Sequence, residues 1–258
     1  MKKTISLLIV LAALLAILTA CSSSNNDETS TVTPPTTSAS QSNSVENSAQ
    51  ESDSHHILIA YFTRLDNTEA ILDEIIQGGG PYGSLGDSFE GADVDAIASA
   101  SITVVDGHAQ GNVQTMAQMI QNTVGGDLFS IQTTDSYPVN YDELIDLGGE
   151  EKSAAARPEL STQVENMADY DVIFLGYPNW WYDMPMAMYS FLEEYDLSGK
   201  TIIPFAASAG SGFSGTISSI QELEPEAAVM ESGLHIPMGE VANGQAEIEA
   251  WISELGIF

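Results

Sequence analysis

The chain has 258 residues, 43% of them apolar, and sets six Lys and Arg against 37 Asp and Glu, a formal net charge of −31 at pH 7. That balance excludes a nucleic-acid binder, since no basic stripe exists to neutralise phosphates, and it opposes adsorption to an anionic membrane surface. A single cysteine leaves nothing to form an intrachain disulfide or a CxxC metal site.

The N-terminus pairs Lys2-Lys3 with an apolar run from Ile5 to Ala20, the pattern of an export signal over residues 1–20. The run ends in Leu18-Thr19-Ala20-Cys21, which resembles the bacterial lipobox. That resemblance implies lipid attachment at Cys21 and an extracytoplasmic protein anchored to the bacterial cell membrane. An ordinary cleaved signal with a chance cysteine is the alternative, and it would leave the protein secreted. Residues 21–54 are rich in Ser, Thr, Asn and Gln, carry Pro34-Pro35 and lack aromatics. Such a segment cannot bury enough apolar surface to offset its ordering entropy, so it reads as a disordered tether reaching about 30 Å as a flexible coil.

From residue 55 to residue 258, apolar β-branched runs alternate with helical periodicity, which predicts α/β with a parallel sheet in one domain. Strands are expected at Ile57–Phe62, Leu128–Thr133, Val172–Leu175 and Thr201–Phe205, with a fifth somewhere in Ala227–Ile236. Helices are expected at Asn112–Val124, Tyr141–Ala156, Met184–Tyr195, Phe213–Glu222 and Gln245–Leu255. In the first helix Val113, Met116, Ala117, Ile120 and Val124 share one apolar face. Residues 64–110 exceed any ordinary strand-to-helix loop and read as an insertion, with an extra strand at Ser101–Val105. A plain helix from Thr68 to Gln77 followed by a loop is the alternative.

Two strand ends stand out between Asp171 and Gly215. One run breaks into Tyr177-Pro178-Asn179-Trp180-Trp181-Tyr182, the next into Ala207-Ser208-Ala209-Gly210-Ser211-Gly212, with one crossover helix between them. A right-handed crossover brings both loops to the same sheet edge, where open α/β sheets bind ligands. Paired indoles on one loop and free backbone N–H groups on the other suit a flat aromatic ligand with polar ring atoms. Trp180 and Trp181 either sandwich such a ring or pack as core.

At this point the chain resembles the flavodoxin-like family, in particular its short bacterial NAD(P)H-reductase and lipoprotein relatives. Residues 57–63 (Ile-Leu-Ile-Ala-Tyr-Phe-Thr) resemble the first strand and the start of the FMN phosphate loop. Residues 126–132 with Tyr137-Pro138 and Tyr141-Asp142 resemble the second strand and its exit, and Gly176–Pro185 and Phe205–Gly212 resemble the two flavin loops. The resemblance implies a doubly wound five-stranded parallel sheet, order 2-1-3-4-5, with FMN at the switch point.

The phosphate loop departs from the family pattern. Thr63-Arg64-Leu65-Asp66-Asn67-Thr68 places Leu65 where a hydroxyl is usual and Asp66 where glycine is usual, whereas Gly111-Asn112-Val113 resembles the segment that opens the first helix. The insertion is therefore expected to split the loop, with Thr63 and Arg64 on one side and Gly111, Asn112 and Val113 at the helix N-terminus, where N–H groups and dipole favour phosphate. Ring contacts are expected from Pro178, Asn179, Trp180, Trp181, Ser208, Ala209, Gly210, Ser211 and Gly212. No residue is expected to act as a catalytic acid or base, because the flavin would carry the chemistry, and no metal site is expected.

The implied function is electron transfer by a tethered FMN protein, with a redox partner protein or a small-molecule acceptor. A flavin-dependent quinone or nitro-reductase and a flavin-free binding lipoprotein are alternatives. A serine hydrolase is a further one. Ser208 sits in a degraded nucleophile elbow, and Glu222, Glu224, Glu226 and then His235 follow in acid-then-histidine order.

Overall fold

The computed structural model describes residues 55–68, 102–105, 108–138 and 141–258. The signal segment, Cys21, the tether and the alternative helix beyond Thr68 lie outside these residues. Strand β1 (Ile57–Tyr61) is followed by the antiparallel pair β2 (Ile102–Val105) and β3 (His108–Gly111), then helix α1 (Asn112–Val124) and β4 (Asp127–Ser130). Helix α2 (Tyr141–Ser153), β5 (Val172–Pro178), α3 (Met186–Glu194), β6 (Thr201–Ser208) and α4 (Thr216–Leu223) come next. The chain closes with β7 (Ala228–Val229), β8 (Leu234–Pro237) and α5 (Gln245–Leu255).

The main sheet is parallel, in the order β4-β1-β5-β6-β7, with β8 also on β6. Every residue of β1 and β5 is buried, as strands covered on both faces require. Their side chains divide with period two. Leu58, Ala60, Ile173 and Leu175 join Leu144 of α2, Phe191 and Leu192 of α3 and Ile220 of α4 on one face. Ile57, Ile59, Val172 and Phe174 join Met116 and Ile120 of α1 and Ile248 and Ile252 of α5 on the other. Each such burial contributes about 1.5–3 kcal/mol, so both faces are committed to the core and the strand ends alone remain for a site.

The fifth strand is broken in two, and the reason lies in β6. Thr201 and Ile202 pair with β7, and Phe205 to Ser208 pair with β8. Between them stands Pro204, whose carbonyl faces Gly233 and whose nitrogen has no hydrogen for a ladder bond. Opposite Ile203–Pro204 the chain therefore leaves the sheet after Val229 and returns at Leu234.

The second strand stops earlier than its apolar run suggests. Ile131 N still bonds Tyr61 O at 2.8 Å, but beyond it side chains take the backbone donors: Thr162 Oγ1 accepts from Gln132 N at 3.0 Å and Asn67 Oδ1 from Thr133 N at 2.7 Å. Helices α3 and α4 likewise start later than expected, at Met186 and Thr216. Within the insertion, the described extra strand pairs back on β3, which runs straight into α1.

Candidate functional site

The C-terminal ends of β1, β5 and β6 meet at one sheet edge. At the end of β1 the chain makes a short 3-10 turn (Leu65–Asn67), and Asn67 fixes it. Its amide donates to Thr63 O at 2.9 Å and Ile131 O at 3.0 Å while its oxygen accepts from Thr133. Nothing in the linear pattern marks this buried amide, which ties three chain segments.

Thr63 then lies directly against the N-terminus of α1. A Cβ built on Gly111 would stand 2.1 Å from Thr63 Oγ1 and 2.9 Å from Thr63 Cβ. The fold thus brings Thr63 beside Gly111 at the start of α1, although the insertion separates them in sequence. Thr63, Arg64, Asn112 and Val113 are all buried. Arg64 Nη2 donates to Pro138 O at 2.9 Å, and Gln114 reaches back to accept from Gly111 N at 3.2 Å. Thr63 Oγ1 and Asn112 Oδ1 are buried with no hydrogen-bond partner among the described residues. An orphaned hydroxyl beside the first turn of a 13-residue helix is a donor awaiting an acceptor, so this end of the site fits a phosphate. Asp66 does not face into that gap with a free carboxylate. Ser130 Oγ donates to it at 2.6 Å, and burial raises its pKa above 3.8.

At the end of β5 the two indoles part company. Trp180 is buried, edge-on to Phe62 at 5.5 Å and Tyr137 at 5.3 Å, so it takes the core packing, and its Nε1 has no partner among the described residues. Trp180 and Asp183 exchange two backbone hydrogen bonds, at 2.8 and 2.9 Å, and close a tight turn. Both central residues carry positive φ, +53° at Trp181 and +61° at Tyr182. Glycine or asparagine normally fills such positions, and the turn lifts both rings outward: Trp181 is 50% and Tyr182 75% exposed. Trp181 Nε1 donates to Ile145 O at 3.0 Å, and Lys152 Nζ donates to Trp181 O at 2.6 Å. Tyr182 is the aromatic the sequence reading left out. The positive φ it shares with Trp181 sets it apart from the buried Trp180 and Met184.

The β6 loop is tied to this turn. Asn179 donates through its side chain to Gly212 O at 2.9 Å and Ser214 Oγ at 3.1 Å, and through its backbone to Ala207 O at 3.1 Å. Pro178 is the buried last residue of β5. Ser208 is buried, while Ala209, Gly210 and Ser211 are exposed and Gly212 is half-buried. Gly210 N and Gly212 N both donate inward to Ser208 Oγ at 3.1 Å. The N–H groups of Ala209 and Ser211 donate to nothing within the described residues, which leaves two exposed donors at the strand end.

Ser208 Oγ is also 2.8 Å from His235 Nε2. This pair was anticipated only as part of a hydrolase, and the geometry opposes a nucleophilic serine. The oxygen is buried and receives two N–H bonds that an oxyanion hole would aim at substrate. The carboxylate acting on His235 is Glu247, not Glu222, Glu224 or Glu226. Elsewhere, a cleft of about 410 Å³ lined by His55, His56, Asp127 and Asp169 opens at the opposite edge of the sheet. Among the described residues no group of three His, Cys, Asp or Glu is placed to hold a metal, and no helix is long and apolar enough to cross a membrane.

Comparison with solved structures agrees with this architecture. A candidate flavoprotein from Bacteroides eggerthii is 22% identical over 78% of this chain and 98% of its own, with a TM-score of 0.52. One from Bacteroides uniformis is 22% identical over 77% and 98%, also at 0.52. A flavoprotein from Lactobacillus acidophilus in complex with FMN is 14% identical over 73% and 97%, at 0.47. At these identities the likeness speaks to the fold alone. No curated protein matches the chain. A family model for flavodoxin matches residues 102–255, more than half of the sequence and all of the sheet beyond β1, and the chain therefore belongs to the flavodoxin family.

Proposed function

We propose that this protein binds FMN at the β1, β5 and β6 strand ends and transfers electrons outside the cell, tethered by a lipid on Cys21. The observation that carries the flavin reading is the convergence of the orphaned Thr63 hydroxyl with the Gly111–Asn112 helix start. It lies at the same sheet edge as the exposed Ala209 and Ser211 amides and the raised Trp181 and Tyr182 rings. Membership of the flavodoxin family supports the same ligand. Thr63, Arg64 and the α1 N-terminus would hold the phosphate, the Ala209 and Ser211 amides would meet polar ring atoms, and Trp181 or Tyr182 would cover a ring face. When bound, the flavin supplies the one- and two-electron chemistry. The residues around it position it and exclude water.

The tether and its location rest on the lipobox-like Leu18–Cys21 and on the polar composition of residues 22–54. Nicotinamide cofactors are scarce outside a cell membrane, which favours a carrier fed by another redox protein over a reductase.

The absorption spectrum of the purified protein tests the flavin reading. A yellow protein, or one whose tryptophan fluorescence is quenched on FMN titration, supports it. A colourless protein indifferent to FMN sinks it. Membrane fractionation of Cys21→Ser against the unaltered chain tests the anchor, with release into the soluble fraction as the expected result.

A further inference from the structure

Ser208 and His235 form a close pair at the sheet edge that the phosphate and ring contacts proposed above do not use. A serine hydroxyl has one hydrogen to give and two lone pairs to receive with. Gly210 N–H and Gly212 N–H, each at 3.1 Å, occupy both lone pairs. The hydroxyl hydrogen therefore goes to His235 Nε2 at 2.8 Å, which requires that nitrogen to be bare and the imidazole to be neutral with its proton on Nδ1.

The surroundings enforce this state without locking it. His235 lies on β8 opposite Ala206 of β6, edge-on to Phe213 with ring centroids 6.4 Å apart. The charged group acting on it is Glu247 of α5. Burial lowers its pKa below the ordinary 6.5, and the Glu247 charge pulls the other way. Space is open around the loop it governs, for the Cβ positions of Gly210 (φ +145°) and Gly212 (φ +59°) meet nothing within 4 Å, and on its far side Asn179 Nδ2 holds Gly212 O at 2.9 Å.

We propose that His235 is a proton-sensitive positioning residue for the 209–212 loop, acting through Ser208 Oγ. Protonation turns Nε2 into a donor aimed at an oxygen whose lone pairs are both taken. Ser208 then has to release a glycine N–H, and the alternation that turns Gly210 and Gly212 inward and Ala209 and Ser211 outward is lost. The loop is ordered with its donors outward while His235 is neutral, and it loosens as pH falls through the histidine's pKa. The loop's order is a property of the protein alone. That this order governs ligand grip rests on the flavin reading above.

Amide hydrogen exchange of the full chain without flavin, resolved to Gly210 and Gly212 and corrected for intrinsic exchange, reads the proposal directly. Protection at both amides is expected to fall about tenfold from pH 8 to pH 5. His235→Gln, which cannot titrate, should abolish that pH dependence, and Ser208→Ala should lack the protection throughout. Flat protection in the unaltered chain, or the same loss in His235→Gln, overturns the proposal. Imidazole ¹⁵N shifts of the unaltered chain give a check that needs no variant, since a neutral Nε2–H tautomer also overturns it. FMN titration at both pH values is a separate arm. Expected there is weaker binding at pH 5 in the unaltered chain and equal binding in His235→Gln. Failure to bind FMN at any pH counts against the flavin reading and leaves the exchange result standing.

Discussion

Replacing Gly111 by alanine isolates the junction on which the phosphate site depends. The backbone there is φ −66°, ψ 138°, a conformation any residue adopts, so alanine adds no torsional strain and the effect is steric. The new methyl would stand 2.1 Å from Thr63 Oγ1, 2.9 Å from Thr63 Cβ and 3.3 Å from Thr63 Cγ2. Rotating Thr63 about χ1 can move Oγ1 away, but Cβ lies on the rotation axis and keeps its 2.9 Å contact. Overpacking of this kind costs about 2 kcal/mol, or about 4–8 °C in melting temperature for a domain of this size. The same shift moves Thr63 away from the α1 N-terminus, so FMN affinity should fall at least about tenfold. Thermal melts followed by circular dichroism and a fluorescence titration with FMN read both effects. Adding Thr63→Ala removes two of the three close contacts and should restore part of the stability but not the affinity, a coupling of about 1 kcal/mol. A Gly111→Ala protein that melts within 2 °C of the unaltered chain and keeps its affinity would refute the split-loop geometry.

Three other outcomes follow from neighbouring features. Tyr182→Gly relieves a non-glycine residue held at φ +61° and should raise the melting temperature by about 2–4 °C while weakening FMN binding; a lower melting temperature contradicts the strain. Burial raises the Asp66 pKa above 3.8, so the folded chain holds that proton more tightly than the unfolded one. The carboxylate's cost to stability therefore sets in as pH rises through the window above 3.8. Asp66→Asn should gain stability at pH 7 and none below pH 4, and equal urea midpoints shifts at both pH values would count against it. A chain of net charge −31 disfavours added negative charge on a reduced flavin, each carboxylate at ~10 Å costing about 0.4 kcal/mol in high dielectric. A midpoint potential at or above that of free FMN would sink this expectation.

The sheet and most helices were legible because their signals are local. Continuous apolar runs mark β1, β5 and β6, and one-sided periodicity marks α1 and α5, whose bounds match the sequence expectation. The fifth strand was blurred because its break is imposed by Pro204 on the neighbouring strand, a cause that periodicity within 227–236 cannot contain. At the site, adjacency in sequence misled where adjacency in space decides. Trp180 and Trp181 are consecutive and chemically alike, yet a turn with two positive φ values buries one and exposes the other. Asn67 ties Thr63, Ile131 and Thr133 together, a role invisible until the chain is folded.

The costs that the fold leaves unrelieved lie mostly at one edge. Among the described residues, Thr63 Oγ1, Asn112 Oδ1 and Trp180 Nε1 are buried without partners, and Trp181, Tyr182 and Ser214 hold positive φ. A buried unsatisfied polar group costs about 1–3 kcal/mol, and strain gathered in one place argues for a ligand that relieves it. FMN should then stabilise the protein, by about 2.7 kcal/mol at a concentration one hundred times its Kd, or about 5–11 °C. Thr63→Val separates the ligand's demand from the fold's. Valine keeps the shape and removes a hydroxyl that bonds to nothing among the described residues, so the flavin-free melting temperature should hold or rise while the FMN-induced shift shrinks. If Thr63→Val lowers the flavin-free melting temperature, the hydroxyl belongs to the fold. If it leaves the FMN shift intact, the phosphate is held elsewhere.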